Sequence, residues 1–185
     1  MNIELTNLQR TIIGVFLLAI LGAVIGWVYE MLFYRIDQGR FITRGHGFGP
    51  WLPIYAFGAL GLTIMVLNKE LNLIQLFIFS VIGSGVLEYA TGWVLYNCFG
   101  GVRLWDYNVE IWNWGNINGY VCARSVLVFG VFGCIFGALI VPKFMDVVAN
   151  ANANILVAVS SVLAIVVGAD VIYGYIIKSF INGGL

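Results

Sequence analysis

Thr11 to Tyr34 is an almost unbroken apolar run, and it constrains the fold more than any other feature of the chain. A helix of about 20 apolar residues crosses the ~30 Å hydrocarbon core of a bilayer. Until Glu30 this run leaves no face for water. Comparable runs recur over residues 50–67, 73–98, 120–141 and 155–177. The chain is 61% apolar and 10% charged, whereas soluble domains carry roughly 45–50% and about 25%. Too little polar surface remains to keep such a chain dissolved in water. The expectation is an all-α, polytopic integral membrane bundle of about five transmembrane helices, forming one transmembrane domain over residues 1–185 in the cell membrane. Its surroundings are membrane lipids. A net charge of zero, with no basic tract, gives no reason to expect a nucleic-acid partner.

The longest stretch that is not greasy runs from Trp105 to Tyr120 and is crowded with Trp, Asn, Asp and Glu. It reads as an interfacial or re-entrant cap between the third and fourth helices, since irregular backbone at membrane depth needs shielding by protein or a wet cavity. Pro50 and Pro53 open the second span, where a missing N–H is tolerated. Pro142 to Asn154 reads as a polar connection rich in Ala and Asn. Gly14, Gly22 and Gly26 share a helical face on which a neighbouring helix can approach closely. Gly26-Trp27-Val28-Tyr29 is echoed by Gly92-Trp93-Val94-Leu95, which suggests two helix–loop–helix units in the same orientation plus one added helix.

The charges within the spans are Glu30, Glu88, Arg124 and Asp170. At ~1.5 Å per residue, Glu88 lies roughly 13 Å and Asp170 about 12 Å below the face that carries the two longer loops. Arg124 and Glu30 sit near that same face. Each such charge costs at least about 2.5–3.5 kcal/mol at a helix centre. A shared interior is therefore better than lipid, with Glu88 or Asp170 paired to Arg124, or to Arg44 reaching in from the first loop. Trp105, Asp106 and Asn118 are placed above this cluster as its lid. An acid left without a cation there would be a candidate proton carrier. His46 has no metal-ligand spacing around it, and Cys98, Cys122 and Cys134 form no CxxC, so neither a metal nor a cofactor is expected.

Several motifs, in order, resemble a known family. Arg44-Gly45, then Gly49-Pro50-Trp51-Leu52-Pro53-Ile54-Tyr55 with Phe57-Gly58, is similar to the second-helix start of the putative ABC-transporter type IV family, small bacterial membrane proteins also described as CmpB-like permeases. Leu87-Glu88-Tyr89-Ala90-Thr91-Gly92-Trp93, Arg103-Leu104-Trp105-Asp106-Tyr107 and Asn116-Ile117-Asn118-Gly119 resemble it as well. The family pattern places an acid where Tyr96 stands and an arginine where Tyr120 stands. An ion pair in relatives is thus expected to be replaced here by Tyr–Tyr packing, with Arg124, one helical turn from Tyr120, taking the positive role.

The resemblance implies a permease-like transport or channel component for a small polar or cationic solute or a proton. The site would be formed by Glu30, Arg44, Glu88, Trp105, Asp106, Asn118, Arg124 and Asp170. No Gly-x-x-x-x-Gly-Lys-Ser/Thr pattern occurs, so ATP-driven transport would need a separate ATPase. So few helices suggest a homodimer or a partner membrane subunit, packed through the glycine faces. Two other readings stay open: an intramembrane enzyme acting on a lipid or isoprenoid phosphate held by Arg44 and Arg124, and a binding or assembly protein with a structural polar cluster. No nucleophile–base motif supports the enzyme. The excess of Arg and Lys on the loop-bearing face predicts that face to be cytoplasmic.

Overall fold

The computed structural model describes residues 3–178. Helix α1 spans Asn7–Asp37, α2 Pro53–Asn68, α3 Leu73–Cys98 and α4 Ala123–Asn150. Helix α5 begins as Ala153–Val171 and continues in π-helical form through Ile172–Ile177. The described residues contain no strand beyond one isolated bridge, Ile117 to Val121. Helices α1, α3, α4 and the segment Ala153–Gly174 are long and apolar enough to cross a membrane, while α2 is a shorter apolar helix. Start signals are explicit: Thr6 with Gln9 and Asn72 with Gln75 form reciprocal capping boxes, and Asn152 accepts from the amides of Asn154 and Ile155. The short connections after α2 and α4 therefore lie at one end of the bundle. There Arg10 Nη1 donates to the carbonyls of Val148 and Ala151 at 2.9 and 2.8 Å.

Two expectations need correcting. The segment from Pro142 to Asn150 is not a connection but the lower part of α4. Proline breaks a helix by lacking an N–H and by crowding the carbonyl four residues back. Here the turn just before it, Phe136–Ile140, is widened to π geometry, and the Val141 N–H bonds to the Phe136 carbonyl instead. A π-turn relieves both problems, so the helix passes through Pro142. The second correction concerns depth. The segment between α1 and α2 also enters the bundle, and α2 begins at Pro53 rather than residue 50. The Leu52 N–H donates to the Ala23 carbonyl at 3.2 Å, and Ala23 lies about 21 Å below the end of α1 at ~1.5 Å per residue.

Irregular backbone at that depth must find its hydrogen bonds within the protein. Asp170, on α5, supplies them: its carboxylate accepts from Phe48 N at 2.7 Å, Gly49 N at 3.1 Å and Trp51 Nε1 at 2.8 Å. Gly47 packs directly against the same carboxylate and leaves no room for a Cβ.

The helices pack as two pairs, α1 with α2 and α3 with α4, and the lower part of α4 crosses back onto α1. Glycine makes each pair close. A methyl group at Gly22 would overlap Ala59, and one at Gly26 would overlap the Tyr55 ring. Gly130 and Gly133 admit Phe77 and Ser80 in the same way, and Gly14 receives Met145. The glycine face of α1 at Gly14, Gly22 and Gly26 is thus filled within the chain, as is that of α4 at Gly130 and Gly133. Leu18, Ala59, Phe136 and Val141 form the buried floor where the two pairs meet. Helices α2 and α3 touch only sparsely, which leaves a cavity between the pairs.

Asp170→Ala strands three N–H donors of the re-entrant segment, those of Phe48, Gly49 and Trp51. It is expected to lower stability by about 1–3 kcal/mol and to speed amide exchange at Phe48 and Gly49, read by hydrogen–deuterium exchange of the peptide around residues 45–52.

Candidate functional site

Around the upper part of the cavity stand three acids and two arginines, and the side-chain geometry sorts them. Glu30, on α1, accepts from Arg44 Nε at 2.6 Å and from the Tyr55 hydroxyl at 3.0 Å. Arg44 also donates to the Leu104 carbonyl at 2.8 Å and lies over the Tyr34 ring, 4.3 Å from its centroid. Glu110, in the α3–α4 segment, accepts from Arg124 Nη2 at 3.0 Å and from the Tyr34 hydroxyl at 2.6 Å. The Arg124 guanidinium stands 4.2 Å from the Phe33 centroid, so its flat face is covered by a ring. Burial raises the Glu110 carboxyl above the usual carboxylate value, and the hydrogen bonds from Tyr34 and Arg124 oppose that rise. Burial likewise pushes the Tyr107 phenol well above its ordinary value, with Glu88 adding to the effect, so it stays a hydroxyl donor.

Glu88 is different. It is 6% exposed on α3. Its Oε1 accepts from the Tyr107 hydroxyl at 2.5 Å and the Ser125 hydroxyl at 2.8 Å. No cation lies within ion-pair distance of it among the described residues. Its other oxygen, Oε2, is buried without a partner. Among the described residues, four buried side-chain atoms share that condition: Thr63 Oγ1, Ser80 Oγ, Glu88 Oε2 and Arg124 Nε. Ser80, Glu88 and Arg124 all line the same cavity, whose volume is about 900 Å³. The rest of its wall is largely apolar: Tyr29, Phe33, Phe57, Leu62, Leu87, Phe129 and Phe136 among others. The chamber is thus largely apolar, with Glu88, whose Oε2 lacks a partner, in its wall.

The segment above the cavity is a folded lid held by its own polar groups. Asn118 and Gly119 both have positive φ, 57° and 76°, and the Tyr120 N–H returns to the Ile117 carbonyl at 3.1 Å. That is the Asn-Gly turn a tight hairpin demands. Asn118 serves this turn and reaches the Tyr89 hydroxyl at 3.3 Å, so it does not join the buried charges. Asp106 also stays outside them. It accepts from Asn108 N at 3.0 Å and pairs with Arg103 at 3.4 Å, fixing the turn at the lid's edge. Trp105 donates to the Tyr120 carbonyl at 2.8 Å and lines the cavity. Asp170 caps the re-entrant segment, as described, and pairs with neither arginine. The expected pairing of Glu88 or Asp170 with Arg124 or Arg44 is thus replaced by Glu110–Arg124 and Glu30–Arg44. Each arginine takes the acid that its own loop or helix start brings within reach.

Tyr96 and Tyr120 do pack, with ring centroids 6.1 Å apart. The positive charge on them is Arg103, 4.7 and 4.9 Å from the two centroids, and not Arg124. Tyr120 lies before the start of α4, so the helical-turn relation assumed for it and Arg124 does not exist. Glu110 and Tyr107 escaped the reading of the sequence. Both sit in the polar segment, where an acid and a ring look like interface residues. The one available signal was the apolar flanks of Glu110, Val109 and Ile111.

A family model described as putative ABC-transporter type IV matches residues 17–175. No curated protein and no solved structure matches the chain.

Two outcomes follow for stability, read as thermal melting in detergent. Glu110→Ala leaves Arg124 buried without its acid and is expected to cost about 3–5 kcal/mol, more than replacing both residues by well-packed apolar ones. Tyr96→Glu with Tyr120→Arg rebuilds the pair implied for relatives. The double variant should melt above either single variant, and failure to do so removes the idea that the two positions exchange an ion pair for ring packing.

Proposed function

The chain belongs to the putative ABC-transporter type IV family, and from that premise we propose that it is a membrane transport component whose chamber between α1, α2, α3 and α4 receives a solute carrying positive charge or a strong hydrogen-bond donor. The observation that supports this reading is Glu88, which lines a cavity of about 900 Å³, has no cation beside it among the described residues and has a buried Oε2 without a partner. Glu30 and Glu110 are each matched by an arginine, so Glu88 is the acid in excess. A buried carboxylate without a counter-charge is costly in a low-dielectric wall. A cationic group or a proton arriving in the chamber offsets that cost.

The reading as an enzyme on a lipid phosphate fits less well. Arg44 and Arg124, its phosphate ligands, are already engaged by Glu30 and Glu110. In the transport reading, ATP hydrolysis belongs to a separate subunit, and a second copy or another membrane subunit completes the pathway. The loop-bearing face, with Arg35, Arg40, Arg103 and Lys178, is assigned to the cytoplasm of the cell.

Solid-supported-membrane recordings on proteoliposomes test the site. Ethylammonium and dodecylammonium chloride are applied in turn. Wild-type protein should give a charge transient with at least one of them, reduced at least about tenfold in Glu88→Gln. Identical transients from both proteins, for both salts, would sink the proposal.

A further inference from the structure

The shape of the chamber narrows the class of solute. Gly61 on α2 and Gly83 on α3 both line it, yet a methyl group built on either meets nothing within 4 Å. Gly58 would meet only Leu87, at 3.9 Å. The two helices are therefore apart over this length. Phe57, 63% exposed, and Val86, 64% exposed, form the rim of the gap. Both helices present apolar surface there, of the kind that hydrocarbon tolerates and water does not.

Three of the residues that line the chamber carry a buried, unpartnered polar atom. Glu88 Oε2 and Arg124 Nε are buried and unpartnered near the lid, and Ser80 Oγ is unpartnered lower on the wall. Arg124 brings no net charge, because Glu110 neutralises it at 3.0 Å. Glu88 brings one. A molecule that satisfies this site has a cationic head of small size and an apolar body that occupies the space among Phe57, Leu62, Phe129 and Phe136.

We infer that the chamber binds an amphipathic monocation, an alkyl amine or a lipid-like molecule with an amine head, which enters sideways from the bilayer between α2 and α3 and seats its nitrogen on Glu88. This deepens the transport reading and rests on it. It also departs from a small polar solute: water-soluble cations lack the apolar body that would fill the lower chamber.

The test uses the full chain in detergent, with native mass spectrometry to count bound molecules and thermal melting as the control for folding. The probes are dodecylamine, dodecanoate, dodecanol and ethylamine. Wild-type protein should retain one dodecylamine and little of the other three. A hydrogen bond to a charged group is worth about 1.5–3 kcal/mol, so Glu88→Gln should weaken dodecylamine retention roughly 10- to 150-fold. Gly83→Leu keeps Glu88 but fills the gap. Because its new side chain meets open space, it should melt like wild type and still lose dodecylamine at least about tenfold.

Ethylamine retained as well as dodecylamine overturns the amphipathic class while leaving the chamber as a cation site. Dodecanoate or dodecanol retained as well as the amine, or retention unchanged in Glu88→Gln and Gly83→Leu, overturns the role of Glu88 and of the gap. No probe retained, with Phe57→Cys and Val86→Cys cross-linking two copies, shows that a second chain covers the opening. That outcome also overturns the inference.

Discussion

A membrane interior does not forgive an odd charge, and this requirement organises the upper half of the bundle. Glu30 and Glu110 each hold an arginine, and each pair ties together parts of the chain that are remote in sequence: Arg44 to α1, and the lid to the start of α4. Tyr34 touches both systems, lying under Arg44 and bonded to Glu110. The tyrosine and arginine rings and planes around them supply hydrogen bonds and cation–π contact where water is absent. These pairs add to the hydrogen bonds that Asp170 gives the first loop and to those within the lid. Glu88 stands out because every neighbouring acid has been neutralised and it has not.

Much of the fold was legible because hydropathy reports directly on membrane spans. Four of the five helices begin and end within about four residues of the apolar runs read from the sequence, and the lower end of α4 departs further. The misreadings have physical causes. Lys143, Asp146 and Asn150 made the lower part of α4 look like a connection, yet these side chains line one outward face of a continuing helix. Proline at 142 strengthened that impression, because a sequence does not show that the preceding turn is widened. The depth of the first loop was hidden for a similar reason. Its glycines announce irregular backbone, but Asp170, which makes that backbone tolerable inside the bundle, lies more than a hundred residues away.

The site was legible in kind and not in detail. Buried acids and arginines at one level could be read from spacing along helices. Which acid meets which base could not, because the deciding residue, Glu110, comes from a segment without helical register. Asn118 and Asp106 looked like binding groups since both are polar among rings. Their side chains are instead spent on the lid's own turns, a common use of Asn and Asp wherever the backbone must reverse tightly.

Helix α4 deserves a mechanical reading. Its upper part belongs with α3, its lower part with α1, and the widened turn at Phe136–Ile140 lies between them. Phe136 and Ile140 also line the chamber. The helix is thus a beam shared by both halves of the bundle, with its most compliant joint set beside the empty space. The turn that joins the two halves of the bundle and the floor of the chamber are thus built from the same side chains.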